Sequence, residues 1–190
     1  MNTIVKMLIT LTIVGVISGG LLSQISNWAE PKIEMNRKLE TERAIFLVQP
    51  EAKSYLKIEE ADFELYQVFK DENKSESIGY ALPFEGNGFQ GKIRLMVGVN
   101  TDLQQLVGLE VLEQVETPGL GTKVTEKPFT NQFIGLTANP IVNWTKAEAN
   151  KDKSEIQTIT GATISSKAIV VIINDGLSKL RSTVENGEAK

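Results

Sequence analysis

Apolar residues run almost unbroken from Met7 to Leu22, interrupted by Thr, Ser and Gly and by no charge. Extended to Ile4–Ile25, with Lys6 near its start, the run has the ~20 residues a helix needs to cross a bilayer. Trp28 falls where an interfacial aromatic anchors such a helix, and no Ala-x-Ala cleavage site follows the run. The pattern therefore predicts an uncleaved membrane anchor over 1–28 rather than a signal peptide. More basic residues follow the span than precede it, which would keep the rest of the chain inside. A long folded domain crosses largely regardless of its charge, so sidedness stays open at this point. Residues 29–52 read as a helical stalk or linker, since Glu34–Leu47 is rich in helix formers and Pro50 ends the pattern.

Beyond 52 the pattern changes to alternation. Phe63–Phe69 and Ile78–Leu82 read as strands around the polar loop Asp71–Ser77. Gly88–Asn100 reads as a long strand, turning at Thr101–Asp102 into a second strand over Leu106–Val115, an antiparallel pair. Thr117–Gly121, with Pro118 and two glycines, propagates a ladder poorly and is predicted to turn. Lys127–Gly135 is expected to form a short helix carrying Phe129, Phe133 and Ile134 inward. Pro140–Trp144 is read as a strand or extended link, and Glu148–Lys153 as a charged loop. After Thr163 the helical period is clear: Ile169, Ile173, Leu177 and Leu180 share one face, flanked by Val170 and Ile172. Lys167, Asn174, Ser178 and Arg181 fall largely away from that face. The predicted fold is α+β: a single N-terminal transmembrane helix, then one domain over 53–185 with an antiparallel sheet and packed helices. Residues 186–190 are expected to be a frayed tail.

Composition narrows the chemistry. A net charge of -4 argues against nucleic acid as a partner, which would require concentrated Lys and Arg. The chain has no Cys and no His. That removes thiolate metal sites, Cys-ligated clusters, cysteine catalysis, histidine-ligated haem and the usual general base. Any redox role then falls to an organic cofactor.

One stretch places polar chemistry at a helix start. In Thr160-Gly-Ala-Thr163, Gly161 permits a tight turn, Ala162 adds little bulk, and the predicted helix directs its unpaired N–H groups at the level of Thr163 and Ser165. Such a terminus favours an anion, phosphate in particular. On spacing alone a hydroxyl here is either a helix cap contributing about 1 kcal/mol or a site for phosphate esterification.

The wider sequence adds a resemblance. Thr160–Ser166 reads Thr-Gly-Ala-Thr-Ile-Ser-Ser, Glu116–Gly121 reads Glu-Thr-Pro-Gly-Leu-Gly, and Gly79-Tyr80 precedes the Gly-rich stretch Gly86–Val99. In this order, after one N-terminal span, these features resemble the FMN-binding domain family, and within it the G subunits of Rnf-type ion-translocating electron transport complexes. C subunits of sodium-pumping NADH:quinone oxidoreductases share the motif. The resemblance implies FMN held covalently on Thr163 by a phosphoester bond, with Thr160, Gly161, Ala162, Ser165, Glu116, Thr117, Gly119, Leu120 and Gly121 as its neighbours. It implies no catalytic residue and no metal ligand in this chain. Tyr80 and Phe89 are weighed as ring-stacking aromatics, although strand aromatics are more often core. Further implications are a magnesium-dependent flavin transferase for maturation, partners among the other membrane and peripheral subunits of the complex, and the cytoplasmic membrane with the FMN domain outside. The chain would act as a redox subunit of a translocase, without turnover of its own. One departure is Gln157, where the family often has Asp.

Overall fold

The computed structural model describes residues 2–185. By its internal contacts the chain divides into two units, Met1–Glu40 and Thr41–Lys190.

The first unit is helical. Helix α1 runs Thr3–Val48, with Pro31 inside it, so the segments 1–28 and 29–52 share one continuous helix. Near the N-terminus it is long and apolar enough to cross a membrane. Leu11, Val16 and Leu22 are among the apolar side chains it exposes, a surface that suits hydrocarbon better than water. Thr10 and Thr12 donate their hydroxyls to the carbonyls of Lys6 and Leu8, at 2.9 Å each, which satisfies them within the helix. The Lys32 ammonium sits 3.7 Å from the Trp28 ring centroid.

The second unit is built on a five-stranded antiparallel sheet in sequential order: β1 (Ser54–Lys57), β2 (Tyr66–Phe69), β3 (Ser77–Asn87), β4 (Lys92–Asn100) and β5 (Leu106–Gln114). Alternation along the strands gives the sheet two apolar faces. Ala81 and Met96 join Val68 against Ala44, Ile45 and Val48 from the end of α1. Leu82, Phe84, Leu95 and Val97 face the other way, toward helix α3 (Thr163–Glu185). The compact unit therefore starts at Thr41, inside the segment read as stalk. Gly98 and Gly108, opposite each other on β4 and β5, let the end of α1 approach. A Cβ on Gly98 would lie 2.4 Å from the Val48 carbonyl oxygen, and one on Gly108 2.6 Å from the Val48 Cα.

Helix α3 buries Ile169, Ile173, Leu177 and Leu180 almost completely, as its period predicts. Two of the residues away from that face, Asn174 and Arg181, bond the segment 138–142. Asn174 accepts from the Val142 N–H and donates to the Val142 carbonyl, both at 2.8 Å. Arg181 donates to the carbonyls of Pro140 and Ala138. Between sheet and α3 lie α2 (Lys127–Thr130), a 3-10 turn over Asn131–Phe133, and a two-stranded parallel pair, β6 (Asn143–Thr145) with β7 (Glu155–Gln157).

Several boundaries differ from the sequence reading. The strand expected from Gly88 starts at Lys92, because residues 88–91 close a hairpin through a Gly88 N–H to Gly91 carbonyl bond of 2.6 Å. β3 continues through Pro83 to Asn87. Proline fits there because β2 pairs with β3 only as far as Ala81. Phe129 and Phe133 are buried edge to face, 5.5 Å apart, whereas Ile134, expected in the core, is 45% exposed. The 3-10 turn ends at Phe133, and the extended backbone of Ile134 (φ -67, ψ 123) turns its side chain outward.

Candidate functional site

The turn between β7 and α3 carries the Thr-Gly-Ala-Thr sequence. The Ala162 N–H bonds the Ile159 carbonyl at 2.9 Å across this turn. Gly161 adopts φ +85, the left-handed value that the third residue of a type II turn requires. Helix α3 begins at Thr163, and its first intrahelical bond runs from the Ser166 N–H to the Ala162 carbonyl at 2.9 Å. The cap position therefore belongs to Ala162, which has no capping side chain. The backbone N–H groups of 163–165, ahead of that first bond, have no intrahelical acceptor. Thr163 is half-buried, and its hydroxyl has no hydrogen-bond partner among the described residues. Thr160 and Gly161 are exposed, and Ala162 is buried.

The Glu-Thr-Pro-Gly-Leu-Gly loop meets this turn. A Cβ on Gly161 would lie 3.2 Å from Leu120 Cδ2, so Leu120 lies over the turn. Gly119 has φ +73, Thr117 is half-buried, and the Leu120 N–H closes onto the Thr117 carbonyl at 3.2 Å. Gly121 is buried where a Cβ would sit 2.7 Å from Glu116 Cβ and 3.3 Å from Ser165 Oγ.

Glu116 is 3% exposed and spends its carboxylate on the protein. Oε1 accepts from the N–H groups of Phe89 at 2.8 Å and Gln90 at 3.1 Å, and Oε2 accepts the Ser165 hydroxyl at 2.5 Å. Ser165 is 2% exposed. Glu116 and Ser165, expected beside the cofactor, thus bond each other beneath the turn, while Thr160, Gly161, Thr163 and Leu120 line its outer side. Tyr80 is buried in the sheet core, and burial raises its phenol pKa. Phe89, by contrast, is 59% exposed at the tip of the 88–91 hairpin.

Sequence reasoning passed over Ser166. Its buried hydroxyl donates to the Ala162 carbonyl at 2.9 Å and accepts the Ile159 N–H at 3.1 Å, bracing both ends of the turn. A serine one turn into a helix, on the core side, is the available signal, because a hydroxyl there reaches back to the preceding carbonyls. A cleft of about 340 Å³, lined by Lys123, Glu126, Phe129, Gln132, Gln157 and Thr160 among others, opens on the β7 side of the turn. Gln157 is exposed, with its N–H donating to Gln132 Oε1 at 2.7 Å.

The turn gathers features that favour an anion: N–H groups without an intrahelical acceptor, a positive helix end, a hydroxyl without a partner among the described residues, and a glycine at its corner. Residues 88–178 match the family model of the FMN-binding domain. It is similar to the G subunit of the ion-translocating oxidoreductase complex of Methanosarcina acetivorans, 25% identical over 174 residues that cover 88% of this chain and 89% of the relative. It is also 31% identical, over 112 residues, to the G subunit of the Na(+)-translocating ferredoxin:NAD(+) oxidoreductase complex of Acetobacterium woodii. That match covers 58% of this chain and 53% of the relative, so the chain spans nearly all of the first relative and about half of the second. In fold it is similar to the solved structure of the C subunit of the Na(+)-translocating NADH-quinone reductase from Parabacteroides distasonis. There the TM-score is 0.55 at 23% identity, covering 63% of this chain and 61% of that one.

Proposed function

We propose that this chain is a membrane-anchored electron-transfer subunit that carries FMN on Thr163 through a phosphoester bond, within an Rnf-type ion-translocating ferredoxin:NAD oxidoreductase complex. The observation that carries the reading is the Thr163 hydroxyl, left without a partner at the head of α3 and flanked by both motifs of the family. The residues fit the group. Free FMN bears a charge of about -2 near neutral pH, and a threonine diester about -1. The N–H groups of 163–165 and the helix dipole offset a single charge without an Arg or Lys clamp. Gly161 keeps the approach open, and Leu120 supplies an apolar wall beside it. Bound flavin would supply the electron-transfer chemistry, and the protein its placement and burial.

The names of the relatives support the complex, and the apolar part of α1 supports membrane anchoring. The family resemblance supports an extracytoplasmic domain and loading by a magnesium-dependent flavin transferase. No side chain at the turn can deprotonate Thr163, since the chain has no His and Glu116 is committed below it. Partners would be the neighbouring membrane and peripheral subunits. The fold shared with a C subunit of the sodium-pumping quinone reductase favours, as a second reading, that complex as host.

Co-expression with the flavin transferase tests the attachment. The denatured full chain should fluoresce in a gel and show an FMN-sized mass increment on the Thr163 peptide, and Thr163→Val should lose both while remaining folded. Covalent fluorescence that persists in Thr163→Val would refute the assignment.

A further inference from the structure

We propose that Glu116 is a positioning residue for the loading of Thr163: its buried carboxylate sets the rotation of the first turn of α3, so that the Thr163 hydroxyl faces out. The inference rests on the attachment reading above, and goes beyond it by assigning a task to a residue that cannot itself reach the flavin side of the turn.

A carboxylate that is 3% exposed is costly unless its oxygens are satisfied. Its hydrogen-bond partners are neutral: the N–H groups of Phe89 and Gln90 on one oxygen and the Ser165 hydroxyl on the other. The Glu116 N–H is itself held by Gln114 Oε1 at 2.7 Å. Three segments distant in sequence, 88–91, 114–116 and the start of α3, thus converge on one side chain. The space around it is closed, since a Cβ on Gly88 would lie 2.3 Å from Glu116 Oε1 and one on Gly121 3.1 Å from Oε2.

Ser165 and Thr163 are two residues apart, hence about 200° around a helix of 3.6 residues per turn. Pulling Ser165 inward therefore turns Thr163 outward, in accord with a buried Ser165 and a half-buried Thr163. The Thr163 hydroxyl has no hydrogen bond among the described residues to hold this rotation. Ser166 fixes the preceding turn through Ile159 and Ala162, and Glu116 fixes the helix from the sheet side.

Loading requires this orientation. The Thr163 Oγ–P bond forms at the FMN phosphorus of FAD, the diphosphate P–O bond breaks, AMP leaves with the electron pair, and the hydroxyl proton passes to the transferase or to water. A nucleophile misplaced by 1 Å can lose roughly 100-fold in rate.

The test uses the full chain in detergent, unloaded, with FAD, Mg²⁺ and flavin transferase, following covalent flavin by intact mass over time. Urea midpoints of every variant are measured alongside. Glu116→Ala and Ser165→Ala should each lower kcat for loading by about tenfold or more, with KM for the chain nearly unchanged. The double variant should load no more slowly than the slower single one, because both remove the same bond. Glu116→Gln, which keeps an acceptor oxygen, should recover an intermediate rate. Wild-type rates in both Ala variants would overturn the inference alone, as would a loss that vanishes once rates are corrected for the folded fraction. A wild-type chain that takes up no flavin would overturn the attachment reading, and this inference with it.

Discussion

Replacing Gly161 by Ala probes the turn that presents Thr163. The residue adopts φ +85, where a Cβ costs roughly 1–2 kcal/mol. Restricting the unfolded chain returns about 0.4–1 kcal/mol of that. The added methyl would meet Leu120 Cδ2 at 3.2 Å, but Leu120 is 47% exposed and can shift by tenths of an ångström. The net loss is therefore small, about 1 kcal/mol, or roughly 2–4 °C in Tm for a domain of this size. Gly119→Ala is the matched control, with φ +73 and no atom within 4 Å of a Cβ placed there. It should lose a similar amount of stability. The two should part in flavin loading, where Gly161→Ala falls by at least about tenfold through misplacement of Thr163. Urea denaturation with an unchanged m-value and a loading time course read the two quantities. Parental stability and loading in Gly161→Ala would refute the positive-φ turn, and a loss above about 3 kcal/mol would mean that the turn belongs to the core.

Other consequences concern the fold around the site. Gly176→Ala places a methyl 2.0 Å from Phe84 Cε2, an overpacking that should cost about 1–3 kcal/mol or more in chemical denaturation; Phe84→Leu in the same chain should recover part of it. A chain starting at residue 41 should unfold cooperatively. One starting at residue 53 loses Ala44, Ile45 and Val48 from above Val68, Ala81 and Met96, and should unfold at markedly lower urea or precipitate; equal midpoints would contradict the packing. The Tyr66 pKa is pushed up from 10.0 to about 12, by burial first and then by the Glu64 carboxylate. The folded state thus holds this proton more tightly than the unfolded chain, a contribution fully present below pH 10 and lost as pH rises toward about 12. Tyr66→Phe should flatten the alkaline fall of the urea midpoint between those values.

The elements legible in the sequence are those whose partners repeat at a fixed period. Ile169, Ile173, Leu177 and Leu180 announce α3 because one apolar sheet covers their whole stripe. β4 and β5 show as runs rich in aliphatic residues on either side of the turn at Thr101–Asp102. The 88–91 hairpin was not legible: its turn depends on a carboxylate 26 and 27 residues further on, and alternation alone reads straight through it. β1 and β7, of four and three residues, are too short to display a period. Arg181 and Asn174 fall off the apolar stripe, and a helical wheel shows where a side chain points but not that the carbonyls of 138–142 wait there. At the candidate site, the two motifs come together around one turn, with Thr160, Gly161, Thr163 and Leu120 on its outer side. They did not distinguish these from Glu116 and Ser165, whose bond beneath the turn is a tertiary contact that local spacing does not encode.

The central claim is that Thr163 carries the flavin. Peptide mass spectrometry of the full chain, purified after co-expression with the flavin transferase, tests it most directly. The account predicts an FMN-sized increment on the peptide spanning 157–166, localised by fragmentation to Thr163 and absent from Thr160, Ser165 and Ser166. A flavin localised to any other residue, or an unmodified Thr163 in chain that is folded and exposed to the transferase and FAD, would contradict it.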